Sequence, residues 1–262
     1  MSTTVELVRQ DETARVRFRN AKGIHILTAE TRGQLAEVLE ELEQDRTTRV
    51  VVFESEGRSF LAGADLKELK SLDSKTALTF AREGQDLMNR IEGLRQVTIA
   101  AIHAACAGGG CELALACDLR MAARSARIGL PEVSLGLLPG WGGTVRSVQL
   151  LGGAVARRII FSGELFAAED AYALGLLDSV IDDDSFRDAV DERVTLLLSR
   201  GPNAIRRVKR LIRVLDRRES RKKFRREARR FAACYLSAEP QEGINAFLEK
   251  REPLWERVGE LR

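Results

Sequence analysis

Histidine, cysteine and aromatic residues are scarce in this chain of 262 residues, and each shortage removes a class of chemistry. Only His25 and His103 occur. A histidine-rich metal centre cannot be assembled from them, and a histidine-based triad would have to use one of the two. His103 follows a strand-like apolar run, where a hydrogen-bonded core histidine is the expected role. The four cysteines, Cys106, Cys111, Cys117 and Cys234, form no CxxC pair. Three stand among alanine, glycine and leucine, without the neighbouring cations that activate a thiol, and read as small buried apolar residues. Long hydrophobic runs are also missing. The stretch VTIAAIHAACAGGGC from Val97 is broken by His103 and glycines and falls short of a membrane span. The amino terminus, MSTTVELVRQDETARV, lacks an apolar core behind a basic start. A secretory leader is therefore not expected, and the cytoplasm is the expected compartment.

No excess of one charge sign marks the whole chain, whose formal net charge is +3. The distribution is uneven. Arg206 to Arg230 holds fourteen Lys/Arg against three Asp/Glu, a local balance of +11, which leaves −8 for the remainder. Such a run suits polyphosphate or nucleic acid, although a solvated helical face is the plainer expectation. Only Phe224 and Phe231 interrupt the charges, too few to stack bases along a strand. An RNA-binding role therefore ranks well below an enzymatic one, and nucleic acid is not the expected partner.

What is present is the pattern of a mixed α/β core. Val5, Leu7, Val16 and Phe18 alternate around QDET at Gln10 to Thr13, a β-hairpin signal. Leu35, Val38, Leu39 and Leu42 recur at helical spacing between Glu30 and Asp45. A second helix is predicted over Ser74 to Leu94, with Ala77, Phe80, Ala81, Gly84, Leu87, Met88 and Ile91 on one face. Buried strands are predicted at Arg49 to Glu54, Val97 to Ile102 and Leu119 to Ala123, with a short apolar helix at Leu113 to Ala116. After Gly201-Pro202 strand signals vanish. A core of residues 1–200 and a helical region of 201–262 are expected, the latter too thin in apolar residues to fold alone.

Three glycine-rich segments carry the chemistry: FLAGADLKE (Phe60 to Glu68), AGGGCELALACD (Ala107 to Asp118) and LPEVSLGLLPGWGGT (Leu130 to Thr144). Glycine and alanine let backbone N–H groups approach a ligand closely. Glu112 and Glu132 lie inside small apolar surroundings, where a carboxyl can be tuned for proton transfer. Backbone donors beside two acids point to chemistry on a carbonyl compound, with no metal.

In order and spacing, these segments resemble the crotonase (enoyl-CoA hydratase/isomerase) superfamily, and EGINAFLEKR (Glu242 to Arg251) is similar to its C-terminal helix motif. The resemblance implies a spiral of repeated ββα units closed by helices that mediate trimers, commonly paired into hexamers. It implies an acyl-CoA thioester substrate, with coenzyme A part of the substrate and no permanently bound cofactor. Ala64 and Gly109 map to the two N–H donors of the oxyanion hole. Glu112 and Glu132 match the paired catalytic glutamates, which hold a water molecule while Glu132 supplies the proton to Cα. Gly140 would direct its N–H toward the water or substrate. Ala62, Ala64, Asp65 and Leu66 map to the adenine surroundings. Lys67, Phe247 and Lys250 are candidate contacts for the phosphates and ring, the last two open to donation by a neighbouring subunit. Both acids being present makes hydration of a 2-enoyl-CoA the leading reaction, with isomerisation or hydrolysis as alternatives. Three features depart from the family pattern: KGIHILT at Lys22 to Thr28, the basic run, and Trp141, an indole placed to shorten or reshape the acyl pocket.

Overall fold

The computed structural model describes residues 3–216 and 220–255. The chain opens with an antiparallel hairpin, β1 (Thr4–Gln10) and β2 (Thr13–Arg19), with Gln10 opposite Thr13. Asp11 at the tip has φ 51°, a left-handed conformation that aspartate tolerates better than most residues. Helix α1 (Ala29–Gln44) starts where the Thr28 hydroxyl accepts from the Thr31 N–H at 3.2 Å. Then follow β3 (Val50–Ser55), β4 (Ser59–Leu61), α2 (Leu66–Ser71) and α3 (Ser74–Gly93), the last opened by a reciprocal Asp73–Thr76 capping box. The middle of the chain runs β5 (Val97–Ile102), β6 (Ala105–Ala107), α4 (Gly109–Ala116), β7 (Leu119–Ala123) and β8 (Arg127–Gly129). A 3₁₀ helix at Pro131–Leu135 leads to α5 (Gly143–Ser162), β9 (Phe166–Ala167), α6 (Ala168–Ala173), β10 (Ser179–Ile181) and α7 (Phe186–Leu198). Among the described residues three helices come last: α8 (Pro202–Asp216), α9 (Ser220–Cys234) and α10 (Glu239–Glu249).

Two sheets result. The larger has the order β1-β2-β3-β5-β7-β10 and the smaller β4-β6-β8-β9. Strand β3 lies parallel to β2 and β5, and β7 parallel to β5. Each parallel step needs a crossover, which the helices supply. Successive passes of the chain lay one strand on each sheet before a helix: β3 then β4, β5 then β6, β7 then β8. That is a spiral of ββα turns.

All six residues of β5 are buried, because apolar layers cover both faces of the large sheet. One layer holds Phe18, Phe53, Phe60, Met88, Ile91 and Ile102; the other holds Val50, Val52, Ile99 and Met121 under Phe186, Val190 and Val194 of α7. Side chains of this size each contribute about 1.5–3 kcal/mol when fully buried. The α3 face is the expected one, with Gln85 buried beside the apolar set. Helix α4 begins at Gly109, four residues before the predicted start, and all eight of its residues are buried.

The closing helices dock unequally. Helix α9 packs along α3 and against α5, and α10 lies on the 3₁₀ helix and α2. Helix α8 is tied by Lys209, whose Nζ donates to the Gln96 carbonyl and to Asp118, each at 2.6 Å, and by Arg213 donating to the Gly93 carbonyl. Its Val208, Leu211, Ile212, Val214 and Leu215 are exposed. No helix among the described residues is long and apolar enough to cross a membrane.

Candidate active site

Two of the glycine-rich segments meet at the ends of the small sheet. After β4 the chain turns at Gly63 (φ 98°) into α2, and after β6 it turns at Gly108 (φ 52°) into α4. A Cβ on Gly63 would stand 3.0 Å from the Ala107 carbonyl oxygen and 3.3 Å from the Gly109 nitrogen. Only glycine permits both the positive φ and that approach. The parallel bridge Leu27↔Ala64 uses the Leu27 N–H on the Gly63 carbonyl. It leaves the Ala64 N–H outside that bond. Gly109 is the first residue of α4, so its N–H has no partner within the helix, and it stands at the positive end of the helix dipole.

Glu112 is in the first turn of α4 and only 2% exposed. Its Oε1 accepts from the N–H groups of Trp141 at 2.7 Å and Gly143 at 2.8 Å. Burial, then the charge of Glu132, then that of Glu227 push its carboxyl well above the usual range, and the two N–H donors only partly offset this. Glu132 is carried by the 3₁₀ helix after Pro131. Burial raises it to about 8, its own backbone N–H lowers it, and the charge of Glu227 raises it further. Its Oε1 faces Gly108, 3.3 Å from where a Cβ would stand, and its Oε2 is buried without a partner among the described residues. Two carboxyls near each other, each resisting ionisation near neutral pH, are suited to taking and giving protons. An acid oxygen buried without a partner is a place for a water molecule or a reacting group.

The third segment supports the acids from behind. Trp141 is 2% exposed, its ring centroid 5.2 Å from that of Phe80. The indole is wedged between two glycines: a Cβ on Gly84 would meet it at 2.1 Å and one on Gly109 at 2.5 Å. The expected acyl-pocket residue thus packs into the protein directly behind Gly109. Gly140 lies under Phe231, and its carbonyl accepts from Gln85 Nε2 at 3.1 Å. The turn's donors to Glu112 are Trp141 and Gly143; Gly140, expected to direct its N–H toward the water or substrate, joins this network through its carbonyl.

Ala62 and Lys67 are exposed, while Ala64, Asp65 and Leu66 are half-buried. Asp65 caps α2 by accepting from the Lys67 N–H at 2.9 Å. Phe247 (63% exposed) and Lys250 stand at the C-terminal end of α10. That helix is joined to α2 of the same chain through Gln241 Nε2 on the Lys70 carbonyl at 2.7 Å.

His103 is half-buried with Nε2 on the Gly57 carbonyl at 3.0 Å, and burial lowers its pKa. Cys106, Cys111 and Cys117 are buried, which pushes their thiols up. Among the described residues no group of three or more His, Cys, Asp or Glu side chains could hold a metal ion. Sequence reasoning missed Gln85, Arg146 and Glu227, all buried against the 139–145 turn. The signal for Glu227 was there: it is the one acid between Lys222 and Arg230.

Comparison with known proteins fits this geometry. The enoyl-CoA hydratase/isomerase family model matches residues 9–258. A probable enoyl-CoA hydratase of Bacillus subtilis is 39% identical over 227 residues, covering 84% of this chain and 86% of its own. A short-chain-enoyl-CoA hydratase of Clostridium acetobutylicum is 31% identical over 249 residues, 95% of each chain. The crystal structure of an enoyl-CoA hydratase from Mycobacterium avium subsp. paratuberculosis superposes with TM-score 0.88 at 25% identity, covering 98% of this chain and 100% of that one. Its ββα spiral, glycine-rich turns and near-full-length match make this chain a member of the enoyl-CoA hydratase/isomerase family, the crotonase superfamily.

Proposed function

We propose that the protein is an enoyl-CoA hydratase, adding water across the 2,3 double bond of an acyl-CoA thioester. The observation that carries this reading is the Glu132 carboxyl, raised to about 8 with a buried unpartnered oxygen, electrostatically adjacent to Glu112. The N–H groups of Ala64 and Gly109 donate to the thioester oxygen. As water adds to Cβ, negative charge moves onto that oxygen, and each such donor is worth about 3 kcal/mol in the transition state. In the reacting form the pair carries one charge, which sits on Glu112 because the Trp141 and Gly143 N–H groups hold its carboxylate, and Glu112 takes the proton of the attacking water. Glu132, protonated, delivers its proton to Cα. The water's oxygen and one hydrogen end on Cβ, one proton ends on Cα, and the proton left on Glu112 returns to Glu132.

Coenzyme A, as part of the substrate, runs along Ala62, Ala64, Asp65 and Leu66, with Lys67, Phe247 and Lys250 toward its phosphates and ring. The exposed apolar side chains of α8 support assembly as a trimer or a dimer of trimers. A groove of about 520 Å³ between α8 and the Leu115–Arg120 segment lies on that side. Residues 1–200 form the catalytic core and 201–262 a second region whose described part is mostly helical, and the protein acts in the cytoplasm. The test is loss of the conjugated enoyl-thioester absorbance with crotonyl-CoA and longer enoyl-CoAs. Product analysis must show the 3-hydroxyacyl-CoA, not a shifted double bond or free acid. Glu132→Gln, with cooperative unfolding retained, should lose at least about 10²-fold in turnover, since general acid catalysis contributes 10²–10⁴-fold. Undiminished turnover in that variant removes the mechanism.

A further inference from the structure

A third buried carboxylate stands behind the first two. Glu227, on α9, is 5% exposed near the end of the basic run. Its Oε2 accepts from the Val145 N–H at 3.0 Å, and its Oε1 from Gln85 Nε2 at 3.0 Å. The same Gln85 nitrogen reaches the carbonyls of Gly140 at 3.1 Å and Phe224 at 3.0 Å. Helix α5 begins at Gly143 after Gly142, which has no side chain to cap it. Its first-turn N–H groups therefore need acceptors from elsewhere. Glu112 takes that of Gly143 and Glu227 that of Val145, one full turn of backbone clamped between carboxylates from α4 and α9.

We infer that Glu227 is a positioning residue of the proposed reaction: with Gln85 it locks the 140–145 turn, so that the Trp141 and Gly143 N–H groups hold the Glu112 carboxylate in place. The inference rests on the functional reading above. Arg146 of α5, 3% exposed, completes the lock. Its Nη1 donates to the Trp141 carbonyl at 3.2 Å and its Nη2 to Glu92 and Asn89, both at 2.8 Å. Arg146 of α5, Glu112 of α4, Glu132 of the 3₁₀ helix and Gln85 of α3 are the charged and polar groups facing Glu227. Burial raises Glu227 itself to about 7, held down in part by Val145, Gln85 and Arg146, and its charge in turn raises Glu112 and Glu132. It thus acts through geometry and through charge, without touching the substrate.

The two actions separate by substitution. Glu227→Gln keeps the shape and an acceptor for Val145 but removes the charge. Glu227→Ala removes both, and Gln85→Ala frees the Gly140 carbonyl. In Glu227→Ala and Gln85→Ala, hydrogen exchange at the Trp141 and Gly143 amides should quicken at least about tenfold, while α7 amides keep their protection. In Glu227→Ala and Gln85→Ala, kcat on crotonyl-CoA should fall about tenfold, well inside the 10²-fold that a 1 Å misplacement can cost, while KM holds within twofold. In Glu227→Gln, both limbs of the kcat/KM pH profile should move to lower pH, because the charge that raises Glu112 and Glu132 is gone. Unmoved exchange at residues 141 and 143, or an unmoved pH profile in a folded Glu227→Gln, overturns the inference. Should the wild type hydrate no enoyl-CoA, the functional reading falls, and the exchange experiment still decides whether Glu227 positions the turn. If Glu227→Ala fails to fold, Gln85→Ala supplies the exchange result.

Discussion

Gly109→Ala tests the coupling of packing and chemistry most sharply. A Cβ there would stand 2.5 Å from Trp141 Cζ3 and 2.8 Å from Cε3, well inside van der Waals contact. The obstacle is a ring, not the free end of a flexible chain, and Gly84 holds its other edge, where a Cβ would meet it at 2.1 Å. The ring therefore cannot yield sideways. Overpacking of this kind costs about 1–3 kcal/mol. Alanine's better helix propensity returns up to about 1 kcal/mol. A net loss of up to about 2 kcal/mol in urea unfolding is expected. Relief requires α4 to shift away from the indole, which moves the Gly109 N–H off the place proposed for the thioester oxygen. Losing that donor's alignment would lower kcat by up to about 10²-fold, the effect of about 3 kcal/mol. Adding Trp141→Leu removes the obstructing ring, so the double variant should recover turnover relative to Gly109→Ala, although it leaves space of its own. A Gly109→Ala protein with wild-type unfolding midpoint and wild-type kcat would refute the packing argument. A double variant no better than the single one would refute the link from packing to turnover.

Arg146→Met should destabilise the fold by about 1–3 kcal/mol, because the Trp141 carbonyl loses a buried donor and the half-buried Glu92 a hydrogen-bonded cation; urea unfolding measures it. Stability should fall as pH rises through the range set by Glu132 and Glu227, whose folded values of about 8 and about 7 exceed the ordinary glutamate value of 4.5. The folded chain holds protons that the unfolded chain has released, so the loss begins near pH 4.5 and levels off above about 8. A Glu132→Gln, Glu227→Gln double variant should flatten that slope, and an unchanged slope would contradict the assignment. Lys209→Met should loosen α8 by breaking its bonds to Asp118 and the Gln96 carbonyl, which limited proteolysis between α7 and α9 reports as faster cutting.

How much was legible in the chain depended on element length. The hairpin, α1, α3, β3, β5 and β7 follow apolar periodicities long enough to read, and every residue assigned to the buried face of α3 is buried. The small sheet was not legible. Its strands span two or three residues each, too short for an alternation to register. They exist because the large sheet's turns deliver them side by side. The start of α4 was placed late because glycines at Gly109 and Gly110 argue against helix locally. Tertiary packing overrides them: a Cβ on Gly110 would meet the Leu61 carbonyl oxygen at 2.3 Å. Gly110 is there for the neighbour, not for the helix.

The site shows the same division between local and distant causes. Glu112 and Glu132 stand out in sequence because each interrupts an apolar segment. Their surroundings do not, since the groups that tune them arrive from α3, α5 and α9, 27 to 115 residues away from Glu112 in the cases of Gln85 and Glu227. The glycine turn before α5 explains why such distant help is needed. Gly142 has φ 106° and Gly140 and Gly143 press against Phe231, Pro139 and Glu112 itself, so side chains there would have no room. A turn stripped of side chains cannot cap its own helix. Its N–H groups are left pointing outward, and the carboxyls that come to meet them lose water in doing so. Desolvation then raises those carboxyls toward neutrality, where a proton can be both held and released. Crowding at the turn is thereby a physical cause of the raised Glu112 carboxyl, and relieving it at a distance should lower that carboxyl toward its ordinary range.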